Sequence, residues 1–197
     1  MRPLLLALPL SLALSTVHAG DHDHDHAHGH DNPGAHEHGV ALLDVVLEGQ
    51  VLSIELHSPA INLVGFEHAP TSDEERARVA RARQALSAPL PLFGIPDAAV
   101  CTLAQNEQSS PLFDGHDEHE HEEDDHDEHD HDAQHGGHAD VDAHYQLNCR
   151  DVARLKGLDL GGFFDTFPQT ERLQAQVIGP NGQQGLQLAP GQARIAF

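Results

Sequence analysis

The sequence predicts an α+β fold: a single domain with a mainly antiparallel sheet and one principal helix. Three observations predict it. Strand-like runs outnumber helical ones and follow one another in hairpin-like succession. One stretch alone carries a full set of helix signals. Two tracts too polar to fold break the apolar pattern, a His/Asp-rich N-terminal tail at 20–38 and a His/acid-rich loop at 114–142 inserted in a globular domain spanning 39–197. Such segments cannot bury enough apolar surface to offset their ordering entropy, so both are expected to be disordered. The remaining pieces, together about 130 residues, suit one domain.

Taken in order, the chain opens with Arg2, an apolar run over 4–17, and Val17-His18-Ala19. A basic start, a short apolar stretch and small residues at the third and first positions before a cut after Ala19 predict a signal peptide over 1–19. The run is shorter than the roughly 18–20 apolar residues of a spanning helix, and Pro9 interrupts it, so export without membrane insertion is expected. Residues 40–47 and 51–56 alternate as two strands around Glu48-Gly49-Gln50, a hairpin. Ser58-Pro59 breaks the second strand, and 61–66 reads as a further short extended segment. Residues 71–86 read as the helix: Ser72 and Glu75 have capping-box spacing, Asp73 and Glu74 suit the positive N-terminal end, Val79, Ala82 and Leu86 form an apolar face, and Pro89 stops it. Residues 145–149 alternate like a strand, 160–167 read as a short helix or turn, and 173–178, 185–188 and 193–197 as closing strands, with Pro180-Asn181-Gly182 turning the first into the second.

Cys101 and Cys149 are the only cysteines, too few for a Cys-rich zinc site. In an exported chain the pair reads most simply as one disulfide enclosing the second tract, stabilising the fold by roughly 3–4 kcal/mol in the loop-entropy model. The formal net charge of −22 repels nucleic acid and anionic membranes and suits cations.

All but one of the 19 histidines lie beyond Ala19, and most are in the tracts. The first holds His22, His24, His26, His28 and His30, then His36 and His38. The second holds His116, His119, His121, His126, His129 and His131, then His135 and His138. In a flexible chain, His-x-His lets two imidazoles reach one ion, with intervening carboxylates adding oxygen ligands. Imidazole suits zinc, copper and nickel, whereas calcium and magnesium prefer all-oxygen cages. Such tracts collect several ions loosely and lack the fixed, open coordination sphere of a catalytic metal. No metalloprotease helix, nucleophile elbow or phosphate loop is present, so an enzyme is not expected. A more selective site is expected where the tracts meet the fold, drawing on His36, His38, His68 and His144; His57, at a strand end, is the weakest candidate.

Several segments carry a family resemblance: His36-Glu37-His38-Gly39, Ser58-Pro59-Ala60, Gly65-Phe66-Glu67-His68-Ala69-Pro70, Ala99-Val100-Cys101, Tyr145-Gln146-Leu147-Asn148-Cys149, Phe163-Phe164-Asp165-Thr166-Phe167-Pro168 and Gln174-Ala175-Gln176-Val177-Ile178. With these the chain resembles the ZrgA family of zinc-regulated periplasmic proteins. The resemblance implies a periplasmic zinc-binding protein that assists uptake through an ABC-type zinc importer or that importer's solute-binding protein. Carried over by position, it points to His38, His68 and His144, with Glu67 beside His68. Two other readings stand beside it: a nickel or copper storage protein, and the solute-binding receptor itself, which normally needs two lobes where this chain offers one. A monomer is expected.

Overall fold

Alternation of apolar and polar residues from Val40 onward sends one set of side chains to a core and the other to solvent, the period-two pattern of a half-buried sheet. The computed structural model describes residues 36–113 and 138–197. The segment 1–19 expected to be a signal peptide, the N-terminal tract before His36 and the second tract from 114 to 137 lie outside the described residues.

Strands β1 (Val40–Glu48) and β2 (Val51–Pro59) form the expected hairpin. Helix α1 (Ala60–Val64) follows, where an extended segment was expected. Pro59 sets the helix entry, and Gly65, at φ 91°, closes it by donating its N–H to the Ile61 carbonyl. The β-branched residues of the run suit a strand, but a turn of helix buries Ala60, Asn62 and Val64 together, and tertiary packing overrides propensity. Helix α2 (Asp73–Leu86) starts at Ser72 with both bonds of the capping box formed, and its face of Val79, Ala82 and Leu86 is buried. A short helix α3 (Pro89–Leu92) leads to β3 (Cys101–Ser109), β4 (Asp140–Cys149), β5 (Gly157–Asp159), α4 (Gly161–Thr166), β6 (Arg172–Gly179), β7 (Gly182–Leu188) and β8 (Arg194–Ala196).

The main sheet has six strands in the order β3-β4-β2-β1-β6-β7, and β5 pairs with β8 separately. All neighbours are antiparallel except β1 and β6, which run parallel from Val40↔Arg172 to Val46↔Ile178. Leu43, Val45, Ile54, Leu147 and Val177 line the inner face, where Leu86, Phe93, Phe163 and Ile195 complete the core. The other face is open, its residues half-buried or exposed apart from Val40 and Pro59. The two cysteines form the expected disulfide across β3 and β4, at a sequence separation of 48. No helix among the described residues is long and apolar enough to cross a membrane.

Direction matters most for function. Because β2 runs antiparallel to both of its neighbours, β1 and β4 start at the end of the sheet where β2 finishes. The chain therefore enters at His36, re-enters at His138 and turns through α1 to Glu67 at one and the same end. β4 begins at Asp140, so residues 138–142, which composition groups with the tract, belong to the fold. Their alternation explains the difference: Val141 and Ala143 are buried while Asp140 and Asp142 face outward, and the acids alone resemble the tract.

Candidate metal centre

Three chain segments supply one cluster of ligand atoms. His36, His38, Glu67 and His138 each offer one nitrogen or oxygen, all within 4.8 Å of one another. Glu67 is the hub. Its Oε1 lies 2.9 Å from His36 Nε2 and 3.0 Å from His38 Nε2, and its Oε2 lies 2.5 Å from His138 Nδ1. The ring centroids of His36 and His138 are 5.1 Å apart, edge to face, and those of His36 and His38 are 5.5 Å apart. Behind His36, Asp140 Oδ1 is 2.8 Å from Nδ1, the position of a carboxylate that orients a metal-bound imidazole from outside the coordination sphere.

The segments are held by backbone and buried polar bonds. Asn62, only 2 % exposed, accepts from the Gly39 N–H at 2.7 Å and donates to the Val40 carbonyl at 2.9 Å and to Ser58 Oγ at 3.2 Å. It thereby ties the chain just after His38 to helix α1. Gly39 makes that junction at φ 84°, a conformation that costs other residues about 1–2 kcal/mol. The Ala60 N–H donates to the Ala139 carbonyl at 2.8 Å, fixing the residue after His138 to the same corner. Phe66, buried beside Glu67, anchors the third segment.

Within the centre, contact and alignment diverge. The separations between His36, Glu67 and Asp140 are those of hydrogen bonds, yet the N–H directions miss the oxygens. Both ring nitrogens of His36, Glu67 Oε1 and Asp140 Oδ1 are consequently buried with no aligned partner. Leaving such groups unpaired costs about 1–3 kcal/mol each. A cation among them would take up the lone pairs. Three imidazoles and one carboxylate make a tetrahedral donor set for zinc, with bonds near 2.0–2.1 Å and ligand atoms about 3.3 Å apart. The N–O contacts are within roughly an ångström of that spacing, so small side-chain rotations open the space for an ion. Burial pushes the Glu67 carboxyl upward, but the bond from His138 and the charges of His36, His38 and His138 outweigh it, and the group titrates below its ordinary value. It is thus a carboxylate wherever imidazole is neutral enough to bind metal.

The sequence candidates divide accordingly. His36, His38 and Glu67 are brought together. His68 is not: it stacks on Phe66, its Nδ1 lies 2.9 Å from the Ala69 carbonyl and its Nε2 3.8 Å from Glu75. His144 also stands apart, on the open face of β4 and 3.7 Å from Glu55, because four residues of strand carry it about 13 Å beyond Asp140. His57 pairs with Asp142 at 2.8 Å. His22, His24, His26, His28, His30, His116, His119, His121, His126, His129 and His131 lie outside the described residues. Sequence reasoning placed His138 among the loose tract ligands. The signal that marks it is local: His138-Ala139 precedes an alternating strand just as His38-Gly39 does. Asn62 was missed too, though a lone amide within Ala60-Ile61-Asn62-Leu63-Val64 is the pattern of a buried polar anchor.

No curated protein matches the chain. A family model, the ZrgA family zinc uptake protein, matches residues 35–197, which takes in every described residue and all four candidate ligands of the centre. This chain belongs to the ZrgA family of zinc uptake proteins.

Proposed function

We propose that the protein is a periplasmic zinc-binding protein that collects zinc on its two histidine tracts and holds one ion at His36, His38, Glu67 and His138 for delivery to an ABC-type importer. The observation that carries this reading is the convergence of three imidazoles on one largely buried carboxylate, with donors that have no aligned partner. Membership of a zinc uptake family supports zinc as the cargo, although the same donors accept copper or nickel. The cystine supports an oxidising compartment. Both tracts join the fold at this centre, so an ion released by either has a short route to it.

Each residue has a definable task. Glu67 supplies the negative charge that lowers the cost of placing a dication in a partly buried site. His36, the more enclosed imidazole, orders the site through Asp140. His38 and His138, at 51 % and 67 % side-chain exposure, are the ligands that an arriving or departing ion meets first. Zinc titration against a competing chelator tests the assignment. The full chain should bind one ion much more tightly than the rest. Glu67→Gln with His36→Ala should abolish that first step and leave the weaker ones. If the double substitution leaves the tightest step intact, the ions are held elsewhere and the assignment is wrong.

A further inference from the structure

A second group of ligand-type side chains stands on the open face of the sheet. In the ladder between β2 and β4, His57 lies opposite Asp142 and Glu55 lies opposite His144; on the other side of β4, Glu107 lies opposite His144. Glu55, His57, Asp142 and His144 alternate with buried neighbours, so these four face outward on one surface. Directly opposed side chains have Cβ atoms about 4.5–5.5 Å apart and diagonal ones about 7–8 Å, which puts two imidazoles within reach of one ion. The contacts already formed follow the same plan: His57 Nδ1 is 2.8 Å from Asp142 Oδ1, and His144 Nδ1 is 3.7 Å from Glu55 Oε1.

Charge favours a cation here. Strands β1, β2, β3 and β4 contain no Lys or Arg, yet carry Asp44, Glu48, Glu55, Glu107, Asp140 and Asp142. Asp44 is opposite Glu55 and adds to the same row. Arg83 shares a cleft with Asp142, and its guanidinium is engaged by the ring and carbonyl of Phe113. Position favours a link to the centre. Outward residues along β4 and its approach read His138, Asp140, Asp142, His144, an unbroken file of ligand-type side chains that starts at the centre. The cleft of about 570 Å³ at its head is lined by His138, Asp140 and Asp142, between the points where the second tract leaves and rejoins the fold.

We infer that His57 and His144, with Asp142 and Glu55, form a second, weaker site for a divalent transition-metal ion, a station on the sheet face beside the zinc centre. The inference rests on the proposed function in taking zinc as the ion. The site is weaker because its side chains are about half exposed, at 44 % for His57 and 51 % for His144, so water competes for the ion. Its four ligands sit on two adjacent strands and need only rotate to close on it.

Histidine ring ¹⁵N NMR of the full-length chain during zinc titration tests this. The first equivalent should shift His36, His38 and His138. Further zinc should shift His57 and His144 together, with one midpoint, and His57→Gln should abolish the response of His144 while the first step stays unchanged. Separate midpoints for the two rings, no shift of either up to saturation, or a His144 response that survives His57→Gln overturns the second site. A first equivalent that bypasses His36, His38 and His138 overturns the zinc centre instead, and the two failures fall on different resonances.

Discussion

Replacing Asn62 with Leu separates the geometry of the centre from its ligands. Leu nearly conserves volume and keeps helix α1 apolar, but deletes the bonds to the Gly39 N–H, the Val40 carbonyl and Ser58 Oγ. Gly39 N–H and Ser58 Oγ are left buried without those partners, at about 1–3 kcal/mol per group, so a stability loss of about 2–6 kcal/mol is expected. The effect on zinc is argued separately. His36 and His38 precede the tethered residues, and residues that orient ligands from behind typically carry 10–100-fold in metal affinity. The tightest zinc step, measured at sub-stoichiometric metal against a chelator at a temperature where circular dichroism shows the fold intact, should weaken by about that factor. Ser58→Ala, which removes only the longest of the three bonds, serves as the control and should leave zinc affinity within a few-fold. An Asn62→Leu protein that melts early yet binds its first zinc as tightly as the parent would refute the positioning argument, leaving Asn62 a structural residue alone.

Two further outcomes concern stability. The Glu75 carboxyl is held down to about 2 by bonds from the Thr71 amide and hydroxyl and the Ser72 amide. Its folded value lies below the ordinary 4.5, so the stabilisation is complete above 4.5 and is lost as pH falls from there toward 2. Denaturant midpoints measured across that window should fall less steeply for Glu75→Ala than for the parent. Replacing Cys101 and Cys149 together with Ser should cost about 4 kcal/mol for a closed loop of 48 residues, read as a lowered urea midpoint; an unchanged midpoint would mean that the unfolded chain is not what the bridge restrains.

Where a single element writes its own pattern, the fold is legible in the residues. The β1–β2 hairpin alternates around Gly49, and Ser72 with Glu75 announces α2. The disulfide follows from two cysteines and an expected export signal. β3 left no such trace. It is an edge strand with almost every residue exposed or half-exposed, so it lacks a buried face and the alternation that one imposes. The parallel pairing of β1 with β6 joins segments more than a hundred residues apart, and nothing local encodes it. The centre was half legible for a related reason. His36 and His38 are neighbours in sequence, and Glu67 stood in a segment shared with the family. His138 joins them only because β2 runs against both of its neighbours, a relation that exists in the sheet and not along the chain. Conversely, His68 and His144 were singled out by their places at junctions of the fold and by the family resemblance. Stacking on Phe66 draws the first away, and strand length carries off the second.

The antiparallel placement of β2 gives the molecule two unlike poles. At one are the ligands and both junctions with the histidine tracts. At the other, about 30 Å along nine-residue strands, are the Gly49 turn, the Cys101–Cys149 bridge and the Gly182 turn. On the proposed function, a partner that takes the ion approaches along one axis and meets the ligand pole. The opposite pole is therefore the natural place for a dye or surface tether. A probe at Gln50 would leave zinc traffic undisturbed, and immobilisation there would present every molecule to a partner the same way up.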